Sequence, residues 1–285
     1  MTDLDVACHY NVVAADLAPL PTASQALRLI AEAGYRRVVL PPLDPAAVDT
    51  VALAGLFSGH GLTPITIAGQ APGALVSSSD AGERQAGLDA LFAQLDLVEA
   101  IGGDQMNGVP YGLFGPPAGP IAPDAFIRSA EAVGRVADAA HERGITMTFE
   151  VLNRYETSMI NTAAQAMDYV AASGSEHLRI HLDTYHMAVE ESDMLAAISL
   201  ALPKLGYLEL GQSGRGSLAT GAVDVPSVVR HAIAEGYTGR FGVEAFTRQV
   251  LSTPAGDGLA IWRTTYEDPA ALIAEAFGII DAAAR

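Results

Sequence analysis

The feature that most constrains the fold is a regular alternation of short β-branched or apolar segments with longer alanine-rich segments. Strand-sized runs that alternate with helix-sized runs are typical of parallel α/β folds. Strands are predicted at residues 5–9, 37–40, 63–68, 104–109, 145–151, 178–183, 206–210 and 240–245. Eight such units match a (β/α)8 barrel, and the sequence therefore predicts a single barrel domain over residues 1–285.

Helices are predicted between these strands and after the last one. They cover residues 23–33, 46–58, 81–101, 124–143, 162–173, 194–202, 225–235 and 269–284. Glycines follow five of the predicted ends, where a helix C-cap favours glycine: Gly34, Gly61, Gly144, Gly174 and Gly236. No glycine-rich phosphate-binding loop follows the first strand, which disfavours a doubly wound nucleotide-binding fold.

Composition narrows the choice of partners. The formal net charge of −17 disfavours nucleic acid and anionic membrane surfaces, so a small molecule is the expected partner. Apolar runs are too short for a membrane span, and the single cysteine, Cys8, excludes an internal disulfide. We therefore expect a cytoplasmic protein. The only lysine, Lys204, precedes a strand, so Schiff-base chemistry at the strand ends is disfavoured.

Acidic residues stand at the ends of four consecutive predicted strands. Ligands of a barrel bind at the carboxyl ends of its strands, and side chains alternate between its interior and its exterior along each strand. By that alternation Glu150, Asp183, Glu209 and Glu244 all point inward and converge on one mouth. His181 lies one layer below Asp183 and is predicted as a hydrogen-bonded core residue.

Four carboxylates removed from bulk water repel one another, so a positive group must lie among them. The candidates are Arg154, Arg215 and a divalent cation. Oxygen ligands suit Mg²⁺ or Mn²⁺ better than Zn²⁺ or Cu²⁺. A divalent cation at the mouth of the barrel is therefore one of three candidates for that positive group.

Around these acids the sequence resembles the ketose 3-epimerases of the xylose-isomerase-like barrel superfamily, the group of D-tagatose and D-allulose 3-epimerases. The matching stretches are EVLNRYE at residues 150–156, HLDTYHM at 181–187, EESD at 190–193, VEAF at 243–246 and IWR at 261–263. The similarity is strongest between residues 144 and 268. It implies a xylose-isomerase-like barrel that binds a sugar and assembles as a dimer or tetramer of identical chains.

The resemblance also implies roles for individual residues. Glu150, Asp183 and Glu244 would ligate one divalent metal, Mn²⁺ or Mg²⁺ with Co²⁺ as an alternative. Glu150 and Glu244 would be the acid/base pair, one on each face of the sugar. His186 and Arg215 would contact the oxygen at C2, and Glu156 would bind nearby hydroxyls.

At the seventh strand the sequence departs from the family pattern. The family has a histidine there as fourth metal ligand, in a His-Ile-Gly-Glu-like context, whereas this chain reads Glu209-Leu-Gly-Gln212. A carboxylate can still ligate a divalent ion, so Glu209 is predicted as the fourth ligand. Four negative ligands should raise the proton affinity of at least one of them.

The expected function is epimerisation of a free ketose, such as allulose, tagatose, fructose or ribulose, through an enediolate. Two alternatives remain open. One is a metal-dependent isomerase or lyase that acts on an oxidised or glycosylated sugar. The other is a catalytically silent barrel that binds a sugar.

Overall fold

Eight parallel strands close into a barrel in chain order in the computed structural model, which describes residues 4–285. The strands are β1 (Val6–His9), β2 (Arg37–Val39), β3 (Thr63–Ala68), β4 (Gln105–Gly108), β5 (Thr146–Val151), β6 (Arg179–Asp183), β7 (Leu205–Gly211) and β8 (Arg240–Glu244). β1 pairs with both β2 and β8, so the sheet has no free edge. The predicted barrel is confirmed; residues 1–3 of the predicted domain lie outside the described part.

Ten α-helices are formed by the described residues. They are α1 (Leu20–Glu32), α2 (Thr50–Gly59), α3 (Ala81–Ala100), α4 (Pro123–Glu142), α5 (Ala163–Ser173), α6 (Thr184–Glu190), α7 (Met194–Ala201), α8 (Val225–Ala234), α9 (Thr253–Gly258) and α10 (Pro269–Ala283). Within residues 4–285, no helix combines the length and apolarity needed to cross a membrane. The short helices α6 and α9 were not predicted, because each spans two turns or fewer and shows no amphipathic period.

Aspartates explain where many of these helices begin. An Asp carboxylate at the N-cap accepts a hydrogen bond from a backbone N–H of the first turn, which satisfies a donor that the helix itself leaves free. This cap stands before five of the longer helices, at Asp49, Asp80, Asp193, Asp224 and Asp268. Part of the acidic excess therefore serves to start helices.

Apolar side chains pack in two separate places. The large hydrophobic core fills the space between the strands and the surrounding helices, while Ala7, Val39, Ile65 and Tyr207 form a small apolar cluster inside the barrel. Polar side chains lie above and below that cluster. The upper ones form the candidate site, and the lower ones close the bottom of the barrel.

The bottom of the barrel is closed by ion pairs between two arginines and two aspartates. Arg37 Nε donates to Asp5 at 2.7 Å and its Nη1 pairs with Asp104. Arg240 donates to Asp5 at 3.0 Å, to Asp104 at 2.8 Å and to Gln105 at 2.5 Å. Each arginine therefore connects residues of several strands at the end remote from the acids.

Replacement of Arg240 by alanine is expected to lower the free energy of unfolding by about 2 kcal/mol, because it removes one of the two charged donors of Asp5 and Asp104 and the donor of buried Gln105. The matched control is Arg28→Ala, since the exposed Arg28 pairs with the exposed Glu32 at 3.5 Å. The control should cost less than about 0.5 kcal/mol. Urea denaturation of both variants measures the difference, and equal losses would contradict the role given to the bottom network.

Candidate active site at the mouth of the barrel

A cavity of about 330 Å³ opens at the carboxyl ends of the strands. One part of its wall is polar and includes five of the predicted site residues: Glu150, Glu156, His186, Arg215 and Glu244. The opposite part is apolar and includes Pro41, Ile67, Val109, Phe114 and Leu259. Asp183 and Glu209 are fully buried beside the polar wall.

Glu150 is directed into the cavity from the end of β5. The hydroxyl of Tyr111, in the loop after β4, donates to the backbone carbonyl of Glu150 at 2.8 Å and fixes that strand end. Burial raises the pKa of the Glu150 carboxyl, but the charges of His181 and His186 and a hydrogen bond from His186 outweigh burial. The net shift lowers its pKa, which favours the ionised form.

Asp183 has two roles, one for each carboxylate oxygen. Its Oδ1 accepts from the Tyr185 N–H at 2.9 Å and caps α6, so the helix orients the side chain. Its Oδ2 faces His186 Nε2 at 3.5 Å and Arg215 Nη1 at 3.4 Å. Burial, with the charges of Glu209 and Glu150, raises the pKa of Asp183 above its usual value, although the nearby His186 and Arg215 act to lower it. This agrees with the raised proton affinity expected for one of the four acids.

The imidazole of His186 is oriented by Asn153. The backbone N–H of Asn153 donates to His186 Nδ1 at 3.1 Å, so Nδ1 is an acceptor and the proton of the neutral ring lies on Nε2. His186 Nε2 faces Glu150 Oε1 at 3.3 Å and Glu156 Oε2 at 4.0 Å. Because the Nε2 lone pair is unavailable in this tautomer, His186 is a hydrogen-bond donor to the cavity rather than a metal ligand.

Arg215 is the guanidinium that lies among the acids. Its Nη1 pairs with Glu244 Oε2 and lies between that carboxylate and Asp183. The guanidinium stacks on the Tyr185 ring, 3.5 Å from the centroid. The other predicted candidate, Arg154, instead pairs with Glu190 at 2.8 Å on the rim. Arg215, rather than Arg154, therefore supplies positive charge to the site.

Glu209 is enclosed between two histidines. Its Oε1 lies 2.9 Å from His9 Nε2, and its Oε2 lies 3.0 Å from His181 Nε2. Burial raises the pKa of Glu209, but the charges of both histidines more than offset burial and the pKa falls below its ordinary value. Burial lowers the pKa of His181, yet nearby Glu150 and Glu209 raise it overall. His181 is buried as predicted, but neither of its ring nitrogens has a hydrogen-bond partner in the described structure, so the predicted hydrogen bond is not found.

Gly242 makes room for this arrangement. It lies on β8 directly opposite Glu209 on β7. A Cβ at this position would lie 2.7 Å from Glu209 Oε1, closer than real Cβ contacts permit. The small residue therefore allows the Glu209 carboxylate to lie inside the barrel.

Three groups of side chains have potential ligand atoms within 4.8 Å of one another: Glu150, Asp183 and His186; Glu150, His181 and Glu209; and His9, Glu209 and Glu244. In the first group the tautomer of His186 leaves Glu150 and Asp183 to offer ligand atoms. The four predicted metal ligands thus share one region of the barrel. However, no single group of this kind among residues 4–285 contains all four of them. The oxygen-rich donors fit Mg²⁺ or Mn²⁺, and the buried oxygens of Glu209 have no hydrogen-bond partner in the described structure.

His9 is the residue that the prediction of the site left out. It is buried, lines the cavity and contacts Glu209, while its Nδ1 lies 3.6 Å from Glu244 Oε1. The only sequence signal was its position at the carboxyl end of β1, where inward side chains reach the mouth. The strand alternation applied to the four acids would have found it.

The fold and this group of acids define a (β/α)8 barrel with an acidic cavity at the carboxyl ends of its strands. A sequence profile described as xylose isomerase-like TIM barrel matches residues 27–275, and the chain belongs to this family. Ketose 3-epimerase from Arthrobacter globiformis is 36% identical over 87% of this chain and 86% of its own length. L-ribulose 3-epimerase from Mesorhizobium japonicum is 32% identical over 87% of this chain and 84% of its own length.

A solved structure shows the same likeness in three dimensions. The crystal structure of D-allulose 3-epimerase from Methylomonas sp. in complex with D-allulose superposes with a TM-score of 0.92 at 30% identity. The match covers 98% of this chain and 96% of that one. The relatives are epimerases, so the chain is an enzyme of this group, and the predicted resemblance is confirmed.

The tautomer of His186 is open to direct measurement. Long-range ¹H–¹⁵N spectra of protein labelled at histidine are expected to show an unprotonated Nδ1 and a proton-bearing Nε2, because Asn153 donates to Nδ1. Comparison with His186→Asn assigns the signals. A protonated Nδ1 would contradict the donor role assigned to Nε2.

Proposed function

We propose that the protein is a divalent-metal-dependent ketose 3-epimerase that acts on a free ketose of the allulose, tagatose, fructose or ribulose type. The observation that carries the proposal is the placement of Glu150 and Glu244. They extend from β5 and β8, three strands apart around an eight-stranded barrel, into the same cavity. Two carboxylates that reach one ligand from different sides can remove and return a proton on opposite faces of a carbon.

In this reaction one of the two glutamates removes the proton at C3, and the other delivers a proton from the opposite face. The substrate passes through an enediolate, whose negative charge must be stabilised. His186 Nε2–H and the Arg215 guanidinium donate to the oxygen at C2. Glu156, at the rim of the same wall, accepts hydrogen bonds from neighbouring hydroxyls. The apolar wall around Phe114 and Leu259 limits water at the reacting carbon.

Glu150, Asp183, Glu209 and Glu244 are the proposed ligands of the divalent metal. Their donor set is rich in oxygen, and charge favours binding because four carboxylates face few cations. A bound Mn²⁺, Mg²⁺ or Co²⁺ would supply Lewis-acid stabilisation of negative charge on the substrate oxygens. The chain contributes by holding these carboxylates in place, through the α6 cap at Asp183 and the space beside Gly242.

The size and charge of the cavity support a free monosaccharide as substrate. A volume of about 330 Å³ lies at the lower end of the range for small-molecule sites, about 300–1,000 Å³. The acidic wall disfavours a phosphate ester near the metal. The Methylomonas relative, solved with D-allulose, supports a ketose in the same cavity. Homo-oligomerisation and a cytoplasmic location stay predictions of the sequence.

Proton exchange in deuterated water tests the reaction. With Mn²⁺ and a panel of free ketoses, deuterium is expected at C3 of substrate and product, measured by NMR. Deuterium at another carbon would point to isomerisation instead. Absence of any exchange would favour the silent sugar-binding barrel.

Replacement of either proposed acid/base residue tests the mechanism. Glu150→Gln and Glu244→Gln are each expected to lower kcat for epimerisation by about 10²–10⁴-fold, because each removes one proton-transfer group. Any residual exchange should be confined to one C3 epimer, and to the opposite epimer in the other variant. The exposed Glu32→Gln is the control. Full activity in either test variant would contradict the assignment of Glu150 and Glu244 as the acid/base pair.

Metal dependence is tested by chelation. Treatment with EDTA followed by gel filtration should abolish the exchange, and Mn²⁺ or Mg²⁺ should restore it. Circular dichroism of the stripped protein checks that the barrel remains folded. Undiminished exchange by a protein shown to be metal-free would contradict the proposed metal.

A further inference from the structure

Gln212 is a buried residue at the carboxyl end of β7, directly before the loop that carries Arg215. This loop, residues 213–223, connects β7 to α8 through a series of turns. Several of its residues are buried, among them Leu218 and Val223. Buried backbone N–H and C=O groups need hydrogen-bond partners, because water does not reach them. The side chain of Gln212 supplies several of these partners.

The carboxamide of Gln212 makes four hydrogen bonds to the backbone of the loop. Its Nε2 donates to the carbonyls of Leu218 and Val223, at 3.2 Å and 2.7 Å. Its Oε1 accepts from the N–H groups of Ser213 and Val223, at 3.1 Å and 3.2 Å. A carboxamide has two N–H donors and an oxygen with two lone pairs, so the four bonds use its full capacity. One side chain therefore holds the start, the middle and the end of the loop.

Both the chemistry and the space around Gln212 are restrictive. A carboxylate of the same shape has no donor for the carbonyls of Leu218 and Val223. The exposed Gly221 passes so close to the amide that a Cβ at this position would overlap Gln212 Oε1. The conformation of the loop thus depends on an amide at residue 212 and on a glycine at residue 221.

Arg215 lies in this loop in a backbone conformation that favours glycine. Its φ is +57°, in the left-handed region. A residue with a side chain keeps such a conformation only where its surroundings enforce it. The Arg215 N–H donates to the backbone carbonyl of Gln212 at 2.8 Å, and the Arg215 carbonyl accepts from the N–H of Phe246 at 2.7 Å. The backbone of Gln212 therefore turns the chain at Arg215, while its side chain holds the rest of the loop.

We propose that Gln212 is a positioning residue for the reaction, which holds the loop after β7 so that the Arg215 guanidinium enters the cavity. The inference rests on the proposed function, in which that guanidinium donates to the oxygen at C2. Arg215 lines the cavity, whereas the four hydrogen bonds of the Gln212 amide go to the backbone of the loop. Gln212 therefore acts on the substrate through Arg215. A displacement of about 1 Å at such a group can cost about 10²-fold in rate.

Gln212→Glu tests the inference, because it keeps the shape of the side chain and removes the amide donors. It is expected to lower kcat/KM for deuterium exchange at C3 by about 10²-fold. Added to Arg215→Ala, it should cause no further loss, because its effect passes through Arg215. A variant that merely unfolded a fraction of the protein would lose the same factor in both backgrounds. Gln85→Glu, at an exposed position of α3, is the control.

Gly221→Ala disturbs the same amide from the exposed side of the loop, and it provides a second test should Gln212→Glu fail to fold. It is also expected to lower kcat/KM in the presence of Arg215 and not in its absence. The control is Gly119→Ala, in the exposed loop before α4, where a Cβ meets open space. Amide hydrogen exchange, followed by NMR, should become faster at Val223 in both test variants, while the barrel strands keep their wild-type rates.

The outcomes separate the inference from the proposed function. Equal losses with and without Arg215 would overturn the positioning role. Wild-type activity in both Gln212→Glu and Gly221→Ala would overturn it as well. In both cases exchange at C3 by the wild type leaves the proposed function standing. Absence of exchange by the wild type would contradict the proposed function and, with it, this inference.

Discussion

Repulsion among four carboxylates at one end of the barrel is the constraint on which the other features of the site depend. Two unit charges about 5 Å apart in an effective dielectric of about 20 repel by roughly 3 kcal/mol. Several such pairs together rival the whole stability of a typical domain, about 5–15 kcal/mol. The fold can hold these acids only because cationic groups lie among them.

Each element around the acids contributes to that compensation. The loop after β7 places the Arg215 guanidinium between Asp183 and Glu244, and its stacking on Tyr185 holds it there. The interior of the barrel supplies His9 and His181 beside Glu209. The Arg215 guanidinium also suits an oxyanion that develops on a substrate, so a group that permits the fold also serves the proposed chemistry.

Sequence alternation was sufficient to predict the barrel and the inward direction of Glu150, Asp183, Glu209 and Glu244, because a period of two is a local property of a strand. It could not predict which side chains meet across the barrel. The contact of His9 with Glu209 joins β1 to β7 and depends on closure of the sheet between β1 and β8. Likewise, the choice of Arg215 over Arg154 depends on loop conformation.

Helix α6 shows another limit of prediction. Its seven residues carry no amphipathic period, and it forms where the Asp183 carboxylate at the end of β6 caps its first turn. Strand end, helix cap and candidate ligand are therefore one residue. Local patterns assign such a residue to a single role, whereas the structure shows Asp183 both as a strand end and as a helix cap at a position proposed to ligate the metal.

A crystal structure of the Mn²⁺-loaded protein with a bound ketose, measured with anomalous scattering from manganese, tests the central claim most directly. The account predicts anomalous density among Glu150, Asp183 and Glu244, with the Arg215 guanidinium moved from between the carboxylates to the substrate oxygens. The contradicting result is an Arg215 that still bridges Asp183 and Glu244 with no anomalous density beside them. In that case the negative charge of the four carboxylates would be compensated without a metal.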